Sequence, residues 1–107
     1  MRLVRKVEGP VTLYFISDDS GRILLEIYSN PQAPAPGYAS QDPLVLHLAF
    51  TVDDVKATRD RLLAAGATIA KDIWTMGKGD EMVMLRDPWG LAIQFIKRVE
   101  PMLKAGR

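Results

Sequence analysis

Four of the chain's seven prolines fall between residues 31 and 43. Pro31, Pro34, Pro36 and Pro43, with Asn30 and Gly37 among them, leave no stretch that can propagate a helix or a central strand. Each proline removes a backbone donor and fixes φ. The chain is thereby divided into a short piece over 1–30 and a longer piece over 44–98, joined by an extended surface linker over 31–43. At 107 residues there is room for one buried core and not two, so both pieces are expected to form a single domain over 1–107.

The short piece reads as strands. Residues 2–8 form an exposed or edge strand, since Arg2, Arg5, Lys6 and Glu8 interrupt it, and Gly9-Pro10 ends it. Val11 to Ser17 and Arg22 to Ser29 form a hairpin around Asp18-Asp19-Ser20-Gly21, which has the residue types of a tight turn. The longer piece reads as strand, helix and three strands. Leu44 to Val52 is the first strand. A helix follows, capped by Asp53 with Asp54 in the first turn and stopped at Gly66. Val55, Leu62 and Ala65, with Thr58 between, lie on its inner face. Ala67 to Ile73, Glu81 to Arg86 and Leu91 to Lys97 are the remaining strands, separated by a Gly77–Asp80 loop and an Asp87-Pro88-Trp89-Gly90 turn. The segment 99–107 is a polar tail, frayed or packed on a partner. The whole is an α+β protein. Gly21 to Tyr28 and Gly90 to Ile96 also resemble each other: each opens on a turn glycine and places one polar side chain, Glu26 or Gln94, inside an apolar strand.

Composition narrows the function classes. The chain has no cysteine, so disulfides and thiolate chemistry are excluded. Fourteen basic and 13 acidic residues give a net charge of +1, and the basic residues are dispersed, so no nucleic-acid footprint is visible. No apolar run approaches a membrane span and the basic start lacks a signal-peptide core. The expected location is the cytoplasm. No Gly-rich phosphate loop or serine elbow is present.

Glu26, His47 and Gln94 are the three polar side chains at the centres of apolar strands. Period-two alternation puts Leu24, Glu26 and Tyr28 on one face, Val45, His47 and Ala49 on one face, and Ala92, Gln94 and Ile96 on one face. The bulkier sets, such as Leu91, Ile93 and Phe95, suit a helix, so the polar residues point to the opposite, concave side. A carboxylate in an apolar strand is costly unless it is paired, hydrated or bound to a cation. Together the three offer oxygen and nitrogen donors for Zn²⁺, Ni²⁺, Mn²⁺, Fe²⁺ or Mg²⁺. On spacing alone a hydrogen-bonded histidine and a glutamate solvated on the wet side of an antiparallel sheet fit as well. Tyr14, Tyr28, Trp74, Met84 and Trp89 are candidate walls of a ligand pocket, with Met76 and Met82 nearby in sequence. Methionine-rich strands also serve as plain core. Lys78 and Arg86 suit either an anionic ligand group or solvent.

The run from Leu46-His47-Leu48-Ala49-Phe50-Thr51-Val52-Asp53-Asp54, through Leu62-Leu63-Ala64-Ala65-Gly66-Ala67, to Leu85-Arg86-Asp87-Pro88-Trp89-Gly90-Leu91-Ala92-Ile93-Gln94-Phe95 resembles the second βαβββ module of the vicinal-oxygen-chelate superfamily, the glyoxalase, bleomycin-resistance and dioxygenase proteins. Residues 11–30 look like the end of a first module that lacks its opening strand and helix. The resemblance implies two modules whose sheets curve around a cavity, with a divalent metal in many members. It implies that Glu26 and His47 stand at ligand positions and that Gln94 occupies the place of the second module's usual glutamate, a neutral donor through its carbonyl oxygen. The single histidine leaves no two-histidine-one-carboxylate iron site within one chain. The absent strand implies an open sheet edge that a homodimer, with or without exchanged modules, would cover. Three functions follow. One is a metal-dependent lyase or isomerase of glyoxalase type, in which Glu26 is both ligand and proton shuttle. The second is a bleomycin-resistance-like protein that binds a small molecule without chemistry. The third is an inactive relative kept for assembly.

Overall fold

The computed structural model describes residues 1–103. Among these residues it shows a mixed α+β protein of seven strands and one α-helix. By the density of contacts the chain divides into two compact units, Met1–Pro36 and Gly37–Arg107. The predicted tail falls partly outside the described residues.

The first unit is a three-stranded antiparallel sheet in the order β1-β2-β3. Its strands are Arg2–Val7, Thr12–Ser17 and Ile23–Ser29. The β2–β3 turn forms because Asp18 accepts from the backbone amide of Ser20 through its carboxylate (2.9 Å) and from that of Gly21 through its carbonyl (3.2 Å). Gly21 sits at φ +81°, a region that needs no Cβ. The unit has no helix, and its one fully buried residue with a described side chain is Ser17. Leu3, Leu24, Ile27 and Tyr28 remain exposed.

The second unit holds a four-stranded sheet in the order β4-β7-β6-β5. These strands are Leu48–Thr51, Ala92–Lys97, Asp80–Arg86 and Thr68–Met76. The β4–β7 pair is parallel and the other pairs are antiparallel. Helix α1, Val55–Ala64, follows β4. Its N-cap is Asp54 and not the predicted Asp53. The Asp54 backbone is extended (φ −142°, ψ 105°), and its carboxylate accepts from the amide of Ala57 at 2.9 Å, which meets one of the helix's unpaired first-turn donors. Gly66 terminates the helix as expected, at φ +108°. Val55, Val83 and Leu85 form the core, with Val52, Leu62, Leu63, Ile73 and Phe95 packed against it. The buried helical stripe therefore includes Leu63, whereas Ala65, expected on it, is exposed.

The first strand of this unit is shorter than the sequence suggests. Leu44 to His47 are not in the sheet, and β4 begins at Leu48. Asp42 and Pro43 explain this. The Asp42 carboxylate accepts from the amide of Leu44 at 2.8 Å, and the Asp42 carbonyl accepts from that of Val45 at 2.9 Å. Two amides that a strand would spend on its neighbour are thus committed to a local turn. Leu44 and Val45 are left 84% and 77% exposed. No helix among the described residues is long and apolar enough to cross a membrane.

Candidate functional site

The predicted donors divide between the units. Glu26 lies on β3 of the first. It is exposed, sits opposite Phe15 of β2, and Phe15 in turn sits opposite Arg5 of β1. Residues directly opposite in a sheet share a face. Leu13, Phe15, Leu24, Glu26 and Tyr28 are therefore on one side, as alternation anticipates for the last three. Tyr14 is not. It pairs with Ile27, so it stands on the other face from Glu26 and Tyr28, under the ammonium of Lys6 (5.6 Å to the ring centre). A pocket wall made jointly by Tyr14 and Tyr28 does not fit this register.

Gln94 lies on β7 of the second unit, opposite Met84 on one side and Ala49 on the other. Val83, Leu85 and Phe95 face α1. Alternation then puts Gln94 with Met82, Met84, Ala92 and Ile96 on the face away from the helix, as expected. Trp74 joins this face, because it pairs with Met82, and the ammonium of Lys71 lies 4.3 Å from its ring centre, a cation–π contact. Met84 is only 4% exposed. Trp89 is different: on the β6–β7 turn it is 79% exposed, and its backbone rather than its ring is held, by the Asp87 carboxylate at 2.9 Å.

His47 is half-buried and precedes β4 by one residue, so strand alternation does not set its direction. A local hydrogen bond does. Its Nδ1 lies 2.6 Å from the carbonyl oxygen of Pro43. A carbonyl can only accept, so Nδ1 carries the proton, and in the neutral ring the lone pair is left on Nε2. Gln94 shows a parallel arrangement. Its amide nitrogen donates to the Met82 sulfur at 3.3 Å, and its carbonyl oxygen has no protein donor among the described residues. Both side chains are oriented by one polar atom and present an acceptor atom with the other, which is how metal-binding imidazoles are held.

As a donor set, imidazole nitrogen, amide oxygen and carboxylate oxygen suit a divalent ion in kind. The second unit's two are neutral, and the carboxylate, Glu26, belongs to the first unit. Among the described residues no three His, Asp or Glu side chains are gathered as a cage. A cavity of about 130 Å³ lies instead beside the C-terminal end of α1, lined by Leu62, Ala65, Leu85, Pro88, Ile93 and Phe95. Its apolar walls belong to the helix–sheet packing, and it contains none of the candidate donors.

Two roles are not legible in the sequence. Pro43 supplies the carbonyl that orients His47, although Asp42-Pro43 is a recognisable turn signal. Arg86, whose charge suits solvent or an anionic group, donates instead to three backbone carbonyls, those of Gly90 (2.8 Å), Gln41 (2.9 Å) and Tyr38 (3.2 Å).

With this geometry in view, the family model of the Glyoxalase/Bleomycin resistance protein/Dioxygenase superfamily matches residues 1–95. Among solved structures, SMU.1112c is 27% identical, with a TM-score of 0.69 over 90% of this chain and 79% of that one. A glyoxalase family protein from Bacillus cereus is 21% identical, with a TM-score of 0.66 over 84% of this chain and 63% of that one. A glyoxalase I mutant from Zea mays is 20% identical, with a TM-score of 0.67 over 92% of this chain. The last two likenesses bear on the fold alone, and the chain spans only 36% of the maize protein's length. No curated protein matches the sequence.

Proposed function

The chain belongs to the glyoxalase/bleomycin resistance protein/dioxygenase superfamily, and within it we propose a small-molecule enzyme of glyoxalase type, a lyase or isomerase, that uses a divalent metal held in the second unit through His47 and Gln94. The observation that carries the reading is the His47–Pro43 hydrogen bond. It commits Nδ1 to the protein and leaves Nε2 as the ring's donor atom. The amide of Gln94, turned by Met82, supports it in the same sense. A bound divalent ion would polarise a substrate carbonyl and hold two neighbouring oxygens. The chain's own residues would do the rest. Glu26 of the first unit, exposed and without a hydrogen-bond partner among the described residues, has a carboxylate free for proton transfer. The apolar surroundings of Gln94, buried Met82, Met84, Ala92 and Ile96, favour a substrate with an apolar part beside its oxygens. Cytoplasmic placement and assembly as a homodimer belong to the same proposal.

Isothermal titration of the purified, chelator-treated protein with Zn²⁺, Ni²⁺ and Mn²⁺ tests this reading. It predicts saturable binding of at least one of these ions, weakened tenfold or more by His47→Ala. Absence of binding in the wild type would overturn it. The apolar face of Gln94 supports a second reading, a non-catalytic binder of bleomycin-resistance type. Thermal stabilisation by planar apolar compounds in the presence of chelator would favour that one.

A further inference from the structure

We propose that Arg86 is a positioning residue: it clamps the segment 38–41 to the β6–β7 turn and so fixes where His47 presents Nε2. The inference rests on the reading of His47 as the functional imidazole, and concerns only the second unit.

Arg86 is the last residue of β6 and pairs with Ala92 of β7. The turn between them is held by four bonds. The amides of Trp89 and Leu91 donate to the Asp87 carboxylate, the amide of Gly90 donates to the Asp87 carbonyl, and the amide of Asp87 donates to the Leu91 carbonyl, each at 2.9 Å. Arg86 thus extends from a fixed platform. Its Nη1 donates to the carbonyls of Gly90 and Tyr38, and its Nη2 to that of Gln41. No carboxylate pairs with it among the described residues. A guanidinium spent on backbone carbonyls 45 and 48 residues away acts as a tether between segments, because its fork fixes direction as well as distance. Gly90 completes the fit. A Cβ there would lie 2.5 to 2.7 Å from the Cβ, Cα and backbone nitrogen of Ala39.

The tether reaches His47 through a short, ordered path. Gln41, whose carbonyl Arg86 holds, precedes Asp42, which closes the turn onto Leu44 and Val45. Pro43, inside that turn, supplies the carbonyl that accepts the hydrogen bond from His47 Nδ1. The far end of the loop enters β4, where Leu48 pairs with Ile93 of β7. Residues 42–47 are therefore suspended from one hairpin at both ends, by Arg86 at one and by the parallel pair at the other. Releasing the first end frees Pro43 to move relative to His47, and with it the tautomer that exposes the Nε2 lone pair.

The chain's single histidine makes this readable without assignment ambiguity. Nitrogen-15 imidazole spectra and Zn²⁺ titrations would be compared for the full chain, Arg86→Met and Arg86→Lys. Retained amide dispersion establishes that each variant is folded. The clamp predicts that Arg86→Met loses the Nδ1–H form as the dominant tautomer and binds Zn²⁺ about 10- to 100-fold more weakly, and that Arg86→Lys, with its charge but no fork, falls between. A merely stabilising Arg86 would lower the melting temperature and leave the tautomer unchanged. A folded Arg86→Met with the wild-type imidazole spectrum would overturn the proposal. If Arg86→Met does not fold, Arg86→Lys decides on the same criterion. A wild type that ignores Zn²⁺ defeats the metal reading of His47, and the tautomer comparison then still decides the clamp.

Discussion

Replacing Gly90 by alanine places a methyl group where Ala39 already stands. Two effects add. Gly90 has φ +95°, and a side chain in the left-handed region costs about 1–2 kcal/mol. The new Cβ would also lie 2.5 Å from the Cβ of Ala39 and 2.6 and 2.7 Å from its Cα and nitrogen. None of those atoms is the end of a flexible side chain, so relief requires the 38–41 segment to move. Overpacking of this kind costs about 1–3 kcal/mol. The expected loss is about 3 kcal/mol, a large share of a small domain's stability. Gly79→Ala is the control. Its φ of +115° is at least as unfavourable for alanine, yet its nearest neighbour, Val99 Cγ2, is at an ordinary 3.6 Å. It should lose only the backbone part, about 1–2 kcal/mol. Urea denaturation followed by tryptophan fluorescence suits the comparison, since both tryptophans, Trp74 and Trp89, lie in the second unit. An unchanged denaturant slope would confirm that only stability differs. Equal losses for the two variants would refute the claim that Ala39 is packed against Gly90.

Asp54→Ala should cost about 1 kcal/mol by removing the helix cap, whereas Asp53→Ala should be close to neutral; the reverse order in thermal melts would restore Asp53 as the cap. The carboxyls of Asp72 and Asp60 are held below their ordinary range, Asp72 chiefly by a hydrogen bond from Arg59 and Asp60 by hydrogen bonds from Lys56 and then Arg59. A lowered folded value contributes stability that is complete above the unfolded value and disappears as pH falls through the folded one. The stability difference between wild type and Arg59→Met should therefore be present at pH 6 and shrink below about pH 4. It should shrink as well in 1 M salt, because these groups are exposed and screened; a difference that grew on acidification would contradict the assignment.

The strands and the helix were legible wherever pattern and punctuation agreed. Asp18 to Gly21 specified the first hairpin, Asp87 to Gly90 the last, and alternation about Gln94 separated its face from the helix-facing Ile93 and Phe95 side, where Phe50 and Phe95 stack at 6.2 Å. The failures share a cause. Leu44-Val45-Leu46 has the hydropathy of a strand, but Asp42 holds the amides that the sheet would have needed. Tyr14 and Tyr28 match in side-chain type, but register puts them on opposite faces. The charge of Arg86 is legible, but no sequence pattern states that its donors will meet carbonyls of Tyr38 and Gln41. Donor identity is written in a sequence, whereas which atom of a donor remains available depends on a neighbour such as Pro43 that only the folded chain supplies.

The most direct test of the metal reading is a nitrogen-15 spectrum of the His47 imidazole in the wild-type chain, before and after Zn²⁺. The account predicts a proton on Nδ1 without metal, and a metal-induced shift of Nε2 while Nδ1 stays protonated. An imidazole that carries its proton on Nε2, or that does not respond to the ion, would contradict it.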